Sequence, residues 1–463
     1  MTEQLKLKLN DSKATRWGAL VIVAFTMMAA YYVNDVVAPL KTMLETDLAW
    51  SSTDFGFFTG GYSFLNVFFL MLIWGGLILD RFGIRFTGKL ATILMVGGTA
   101  LEYYAMTGLA GADATLFGIN EIFGYKTGVF VAFAGYSIFG VGAEVAGITV
   151  SKIIAKWFKG KELATAMGGQ VVLARIGSQA GYAVAIPLAR AFGISTPVLL
   201  GLVLLLGGMI AFFIFAVMDK KLDKQMEAAA IAAGTEDEEE KFSFKDVKNI
   251  LVNPGFWLIA LLCVLFYSCV FPFQKFASEL MIIKYGINEN VAGTFAGLPA
   301  LGALILTPVF GGFIDKRGKS ASIMLLGSAM LICVHFIYAI PDINYWLVAI
   351  VLMIILGIAF SLVPSAMWPA VAKIFPVSQL GTAYALIFFI QNIGLWGIPT
   401  LIGWVLDAYC ISGKKPDGTN MYDYTVPMCI FTGIACLSLI VALLLKKADK
   451  KYGYKLEEPN IQK

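Results

Sequence analysis

Charged residues are scarce in this sequence. Asp, Glu, Lys and Arg make up 14% of the 463 residues against 59% hydrophobic ones, and mean hydropathy is +0.78. A soluble domain carries about a quarter charged residues, so a soluble globular fold is excluded. Histidine occurs once, as His335, and cysteine six times. Cys263, Cys269, Cys333 and Cys436 lie inside apolar runs without metal-ligand spacing, which leaves them as packing residues and gives no metal site. Cys410 and Cys429 flank one loop, where a disulfide remains open. The ten-residue alternation of a β-barrel is missing. So are a phosphate-cradling glycine loop and any catalytic constellation, so neither an enzyme nor a cofactor is expected. The basic leader runs into an apolar block too long for a cleavable signal peptide.

What is present is apolar sequence in blocks of 20 residues or more, the length of helix that crosses a hydrocarbon core of about 30 Å. The blocks fall at 16–41, 54–79, 86–109, 128–153, 163–189 and 197–218, and again at 256–280, 290–313, 320–340, 345–371, 380–406 and 425–446. The fold class is therefore an all-α integral membrane protein of twelve transmembrane helices in two six-helix bundles, 16–218 and 254–446. A tail, 1–15, precedes them and another, 447–463, follows. The connector 219–253 is rich in Lys, Glu and Ala and reads as a solvated linker.

Loop charges orient the chain. Lys6, Lys8, Lys13 and Arg16, then Arg81, Arg85 and Lys89, then Lys152, Lys156, Lys159 and Lys161, then Lys316, Arg317 and Lys319, fall on one side with the linker lysines, Lys446, Lys447, Lys450 and Lys451. The other side offers only Lys41, Lys126, Arg190, Lys284, Lys414 and Lys415. The positive-inside rule then puts both termini in the cytoplasm. The formal net charge of +4 is this bias and gives no reason to expect nucleic acid.

The sequence repeats itself. AKWFKGKELATA (155–166) and AKIFPVSQLGTA (372–383) share Ala-Lys-x-Phe and Leu-x-Thr-Ala at an offset of 217 residues, which also places Gly140 on Gly357 and Ile176-Gly177 on Ile393-Gly394. A second matching pair, GLILDRFGIR (76–85) and GGFIDKRGKS (311–320), joins the second and third spans of each half. Its leading glycines, Gly76 and Gly311, are expected to let helices approach closely.

Two charges lie deep in the first half. Glu144 on the fourth span and Arg175 on the fifth are each about 14–18 Å from the ends that face the termini, at 1.5 Å per residue. A charge there costs at least about 2.5–3.5 kcal/mol unless it faces water or a partner. One reading is a structural pair that neutralises itself. The other is a binding site, because the repeat turns Glu144 into Ser361 and Arg175 into Asn392, leaving charge on one wall only. A carboxylate beside a planar guanidinium suits a small zwitterion, its ammonium on one and its carboxylate on the other.

Tyr31, Tyr32, Tyr62 and Asn66 are candidate wall residues, Gln391, Asn392 and Trp396 the opposing polar group, and Tyr267, Phe271 and Phe273, around a break at Pro272, an apolar pocket. Asp35, Glu102 and Lys275 sit nearer the side opposite the termini, where side chains snorkel cheaply. They are candidates for coupling or an outer gate. His335 reads as a core residue.

The paired loops resemble the Gly-x-x-x-Asp-Arg-x-Gly-x-Arg/Lys signature of the major facilitator superfamily. That resemblance implies gate roles for Asp80, Arg81, Arg85, Asp315, Lys316 and Lys319. Asp80 would meet the helix start near Ser378 and Gln379, and Asp315 the one near Lys161 and Glu162, when the cytoplasmic side is shut.

YYVNDVVAPL (31–40), FGVGAEVAG (139–147), WFKGKELATAMGGQVVLARIGS (157–178), VFPFQKF (270–276) and MWPAVAKIFPVSQLGTAYALIFFIQNIGL (367–395) resemble the lysosomal dipeptide transporter branch of that superfamily. This implies a dipeptide uniporter working by alternating access as a monomer, with Glu144 reading the peptide N-terminus and Arg175 its C-terminus. The nearest rival is a proton-coupled carrier of organic or sugar-acid anions. Multidrug export is disfavoured, since the fifth span lacks the Gly-Pro motif of facilitator-type drug antiporters. MTEQLKLKLNDSK holds no acidic dileucine signal, and Asn10-Asp11-Ser12 falls on the cytoplasmic side, which favours a prokaryotic plasma membrane.

Overall fold

The computed structural model describes residues 8–111, 114–158, 161–233 and 244–459. Lys6, Lys159 and the acidic centre of the connector lie outside them. The helices are α1 (Lys13–Val36), α2 (Lys41–Leu48), α3 (Ser52–Phe68), α4 (Met71–Thr107), α5 (Thr127–Phe158), α6 (Leu163–Phe192), α7 (Thr196–Ala233) and α8 (Phe244–Leu251). There follow α9 (Pro254–Tyr285), α10 (Glu289–Ala296), α11 (Leu298–Arg317), α12 (Ser320–Ala339), α13 (Trp346–Ile374), α14 (Val377–Tyr409) and α15 (Thr425–Tyr452).

Local chemistry sets many ends. Ser51 and Asp54 form a reciprocal capping box at the start of α3, satisfying amides that a helix leaves orphaned. Asn253 caps α9 just ahead of Pro254. Among the described residues, ten stretches are long and apolar enough to cross a membrane, and α3 with α4 forms one bent pair beside them. That pair makes two crossings. The 37 residues of α4 would reach about 55 Å if straight, nearly twice a bilayer core, and they are divided at Gly83, whose φ of 74° and ψ of 174° are not helical. Twelve crossings result.

The second crossing also breaks by 58° between Phe68 and Met71, at Leu70, which is left-handed. Pro272, expected to interrupt its span, lies inside an unbroken α9.

Glycines seat the helices. A Cβ on Gly177 would stand 2.1 Å from the Met28 carbonyl oxygen, and one on Gly181 2.9 Å from that of Tyr32, so this Gly-xxx-Gly face lets α6 lie directly on α1. Gly140 and its repeat counterpart Gly357 both meet neighbouring backbone, on α3 and α11. Gly76 and Gly311 have nothing within 4 Å. The close approach expected of them is not made.

The halves are tied at the face opposite the termini. Gly56 and Gly403 sit backbone to backbone, each leaving no room for a methyl group on the other. Asp407 accepts from the amides of Ser52 (3.3 Å) and Thr53 (2.6 Å), placing a second-half carboxylate on the positive end of a first-half helix. Lys41 pairs with Glu45 and, at 2.5 Å, with Glu279. Lys415 reaches both carboxylates at 3.4 and 3.5 Å, and Arg190 pairs with Glu289.

At the termini face the pairs formed by Arg16, Arg85, Lys152, Lys156 and Lys161 stay within the first half. They are Arg16 with Glu162, Lys161 with Asp11, Arg85 and Lys156 with Asp219 and Asp223, and Lys152 with Asp80. The extended chain after α15 stays with the second half, where Lys319 donates its amide to the Glu457 carbonyl.

Candidate functional site

Arg175 is half-buried on α6. Its guanidinium carbon lies 5.6 Å from the ring centre of Tyr31 on α1 and 4.8 Å from that of Phe360 on α13. One ring belongs to each half, and both contacts are of the cation–π kind. Phe360 meets Phe271 edge-on at 5.3 Å and Tyr267 at 6.2 Å, while Tyr267 stacks on Phe271 at 5.4 Å. The aromatic surface of α9 and α13 thus begins at the guanidinium.

Glu144 is also half-buried. It accepts a hydrogen bond from the Tyr62 hydroxyl at 3.1 Å. No ion pair within 4.0 Å joins Glu144 to Arg175, so the self-neutralising pair allowed by the sequence is not formed.

Other candidates are placed differently. Tyr32 is buried and donates to the Pro197 carbonyl at 3.2 Å, fastening α1 to α7 away from the charges. Gln391 accepts from the Cys263 thiol. Asn392 donates to the Phe388 carbonyl of its own helix and has a buried carbonyl oxygen without a partner. Trp396 meets Phe68 edge-on at 4.8 Å, on the seam of α3 and α14. Asn66 is 1% exposed and both its amide atoms lack partners.

Phe273 turns into the second half, against His335, Tyr338 and Phe431. His335 is itself buried, bonded to the Cys269 carbonyl and stacked on Phe431, as a core residue should be. Cys410 and Cys429 are free thiols.

Lys275 does not snorkel. Its ammonium donates to the Asn34 carbonyl at 2.6 Å, to Asp35 at 3.2 Å and to the Tyr136 hydroxyl at 3.4 Å. Asp35 also accepts from Ser178 and Asn34. The network ties α1, α5 and α6 to α9, so it spans both halves. Glu102, beyond it on α4, is fully buried and neither carboxyl oxygen has a partner. In a dry interior Lys275 gains more from these acceptors than from reaching for the interface.

In the loops, both motif glycines take positive φ, 74° at Gly83 and 69° at Gly318, which explains glycine at the turn. Arg81 lies over Phe82, Lys316 is exposed, and Asp80 is 70% exposed beside Lys152. Lys161 and Glu162, expected to face Asp315, are engaged by Asp11 and Arg16. Hydrogen bonding holds the Asp11 carboxyl below its ordinary value of 3.8, chiefly through Lys161.

Phe360 and the ties at Glu45, Glu279 and Asp407 escaped the sequence reading. Phe360 had one signal, its position beside Ser361, the repeat counterpart of Glu144.

Comparisons with known proteins bear on the family and on the fold. The model of the Major Facilitator Superfamily matches residues 20–399 and 276–458. The human lysosomal dipeptide transporter MFSD1 is 29% identical over 454 residues, covering 95% of this chain and 88% of that protein. Among solved structures, the nucleoside transporter NupG superposes with a TM-score of 0.68 at 12% identity, over 92% of this chain and 98% of that one. A bacterial homolog of the human lysosomal transporter Spinster gives 0.65 at 14%, over 97% and 100%.

Proposed function

This chain belongs to the Major Facilitator Superfamily, and from that premise we propose that it carries dipeptides or similar small zwitterions by facilitated diffusion. The two halves rock about the site so that each face opens in turn. One observation carries the reading: Glu144 and Arg175 are opposite charges on adjacent helices that do not neutralise each other. A substrate ammonium on Glu144 and a carboxylate on Arg175 complete both. Tyr31 flanks the guanidinium, and Tyr267, Phe271 and Phe360 offer an apolar seat for a side chain. Asn66, Gln391, Asn392 and Trp396 belong to the surrounding wall, whereas Tyr32 fastens α1 to α7. The naming of the human relative as a dipeptide transporter supports the same substrate class.

In this cycle Asp35 and Lys275 form the outer gate. Asp80, Arg81, Arg85, Asp315, Lys316 and Lys319 form the inner one, engaging the starts of α14 and α6 when the termini face shuts. The loop bias in Lys and Arg puts that face in the cytoplasm. The human relative is lysosomal, which speaks against the prokaryotic plasma membrane inferred from the leader. The working unit is the monomer.

The test is a thermal-shift screen of purified protein with dipeptides, free amino acids and sugar acids. Dipeptides are expected to stabilise the wild type, while Arg175→Ala and Glu144→Gln each abolish the shift. If Glu144→Gln still binds dipeptides, the two-ended clamp is wrong. If only organic or sugar acids bind, the anion carrier takes its place. Uptake into liposomes with and without a pH gradient separates uniport from proton coupling.

A further inference from the structure

Between α4 and α5, Leu116–Ile119 and Ile122–Tyr125 form two successive tight turns, each closed across two residues. The central pair is Phe-Gly in both. Phe117 and Gly118 have φ of 54° and 81°, and Phe123 and Gly124 have 52° and 81°. Positive φ at both central residues marks the type I′ turn, whose first central position favours Asn, Asp or Gly. A phenylalanine there is backbone-strained. It is also displayed, since Phe117 is 95% exposed, Phe123 88% and Ile119 50%.

The base of this hairpin is fixed. Tyr125 stacks on Phe57 of α3 at 3.9 Å, Lys126 donates to the Ala49 carbonyl, and Thr127 bonds Asn120 and Ile119. The rings therefore project from a held frame.

Two observations say what covers them. The outward stripe of α4, Phe86, Ile93, Leu101 and Tyr104, is exposed and apolar at helical spacing, so it is a lipid-facing stripe, and Tyr104 carries it into the last turn of α4 on the face that bears the hairpin. Phe123 also lies 5.9 Å from Phe130 in the first turn of α5, which holds it at the level where that helix enters the bilayer.

We propose that the segment Leu116–Lys126 is an interfacial anchor, with Phe117, Ile119 and Phe123 resting in the lipid headgroup layer on the face opposite the termini. Phenylalanine and aliphatic side chains bury at the boundary of headgroups and acyl chains. The hairpin fastens the first half to one leaflet.

The test uses full-length protein with Cys333, Cys429 and Cys436 replaced by alanine, in phosphatidylcholine nanodiscs, where both faces meet solvent. A polarity-sensitive fluorophore is placed at Phe117→Cys or Phe123→Cys. Pro416→Cys, exposed in the charged hairpin after α14, is the aqueous control. At 117 and 123 we expect blue-shifted emission, quenching by headgroup-spin-labelled lipid and several-fold weaker quenching by iodide than at 416. Iodide quenching equal to the control, or shielding from iodide without quenching by the labelled lipid, overturns the proposal. Folding does not confuse the result, because the substituted side chains touch little of the protein.

Discussion

The guanidinium of Arg175 rests on Tyr31 and Phe360, one ring from each half. A planar cation stacks there and a point charge does not. Arg175→Lys, which keeps the charge, is therefore expected to weaken dipeptide binding at least about tenfold, or about 1.4 kcal/mol, read by titrating the thermal shift. Phe360→Ala should weaken it less. Glu102 makes the opposite case, a buried carboxyl whose oxygens have no partner. Replacing such a group with an apolar one of similar volume tends to stabilise. Glu102→Met should raise the apparent Tm by scanning fluorimetry, and a fall would mean that the carboxyl finds a partner in another state. Arg175 and Glu144 were legible in the sequence because a lone charge in an apolar block stands out. Phe360 was not, because a phenylalanine in an apolar span carries no local mark and its role arises only when the second half closes over the first.

At the scale of elements, two kinds of glycine separate. Gly177 faces the Met28 carbonyl at backbone distance, and backbone cannot give way as a side-chain tip can. Gly177→Ala should reduce the yield of folded protein in size-exclusion chromatography. Gly76 meets nothing within 4 Å, so Gly76→Ala should fold normally. It should lose uptake in liposomes nonetheless, if the loop glycine is needed when the termini face shuts. Spans and repeat could be read in advance because membrane thickness and duplication each leave a signature at fixed spacing. The bend near Leu70 had none, since Phe69-Leu70 offers neither glycine nor proline, and the close approach expected of the motif glycines is not made.

Across the whole molecule, ties join the halves at one face, while at the other the pairs that hold Asp80, Lys161 and Glu162 stay within a half. Removing ties should shift that balance. Lys41→Met with Lys275→Met is expected to widen the face opposite the termini, seen as longer spin-label distances between α2 and the loop after α14. The clamp of Asp11 on Lys161 adds a pH dependence. Its depressed carboxyl stabilises the folded tail above the ordinary value of 3.8, and this is lost as pH falls through the lower folded value. Protease access to the N-terminal tail should thus stay constant near neutrality and rise only below about pH 4. The contact of Gly56 with Gly403 has a mechanical meaning as well. Two bare backbones pressed together have no rotamers to rearrange, so the proposed rocking of one half on the other would turn on this contact as on a bearing. A methyl group at either point would seize that bearing, slowing turnover while leaving the affinity of the distant site untouched.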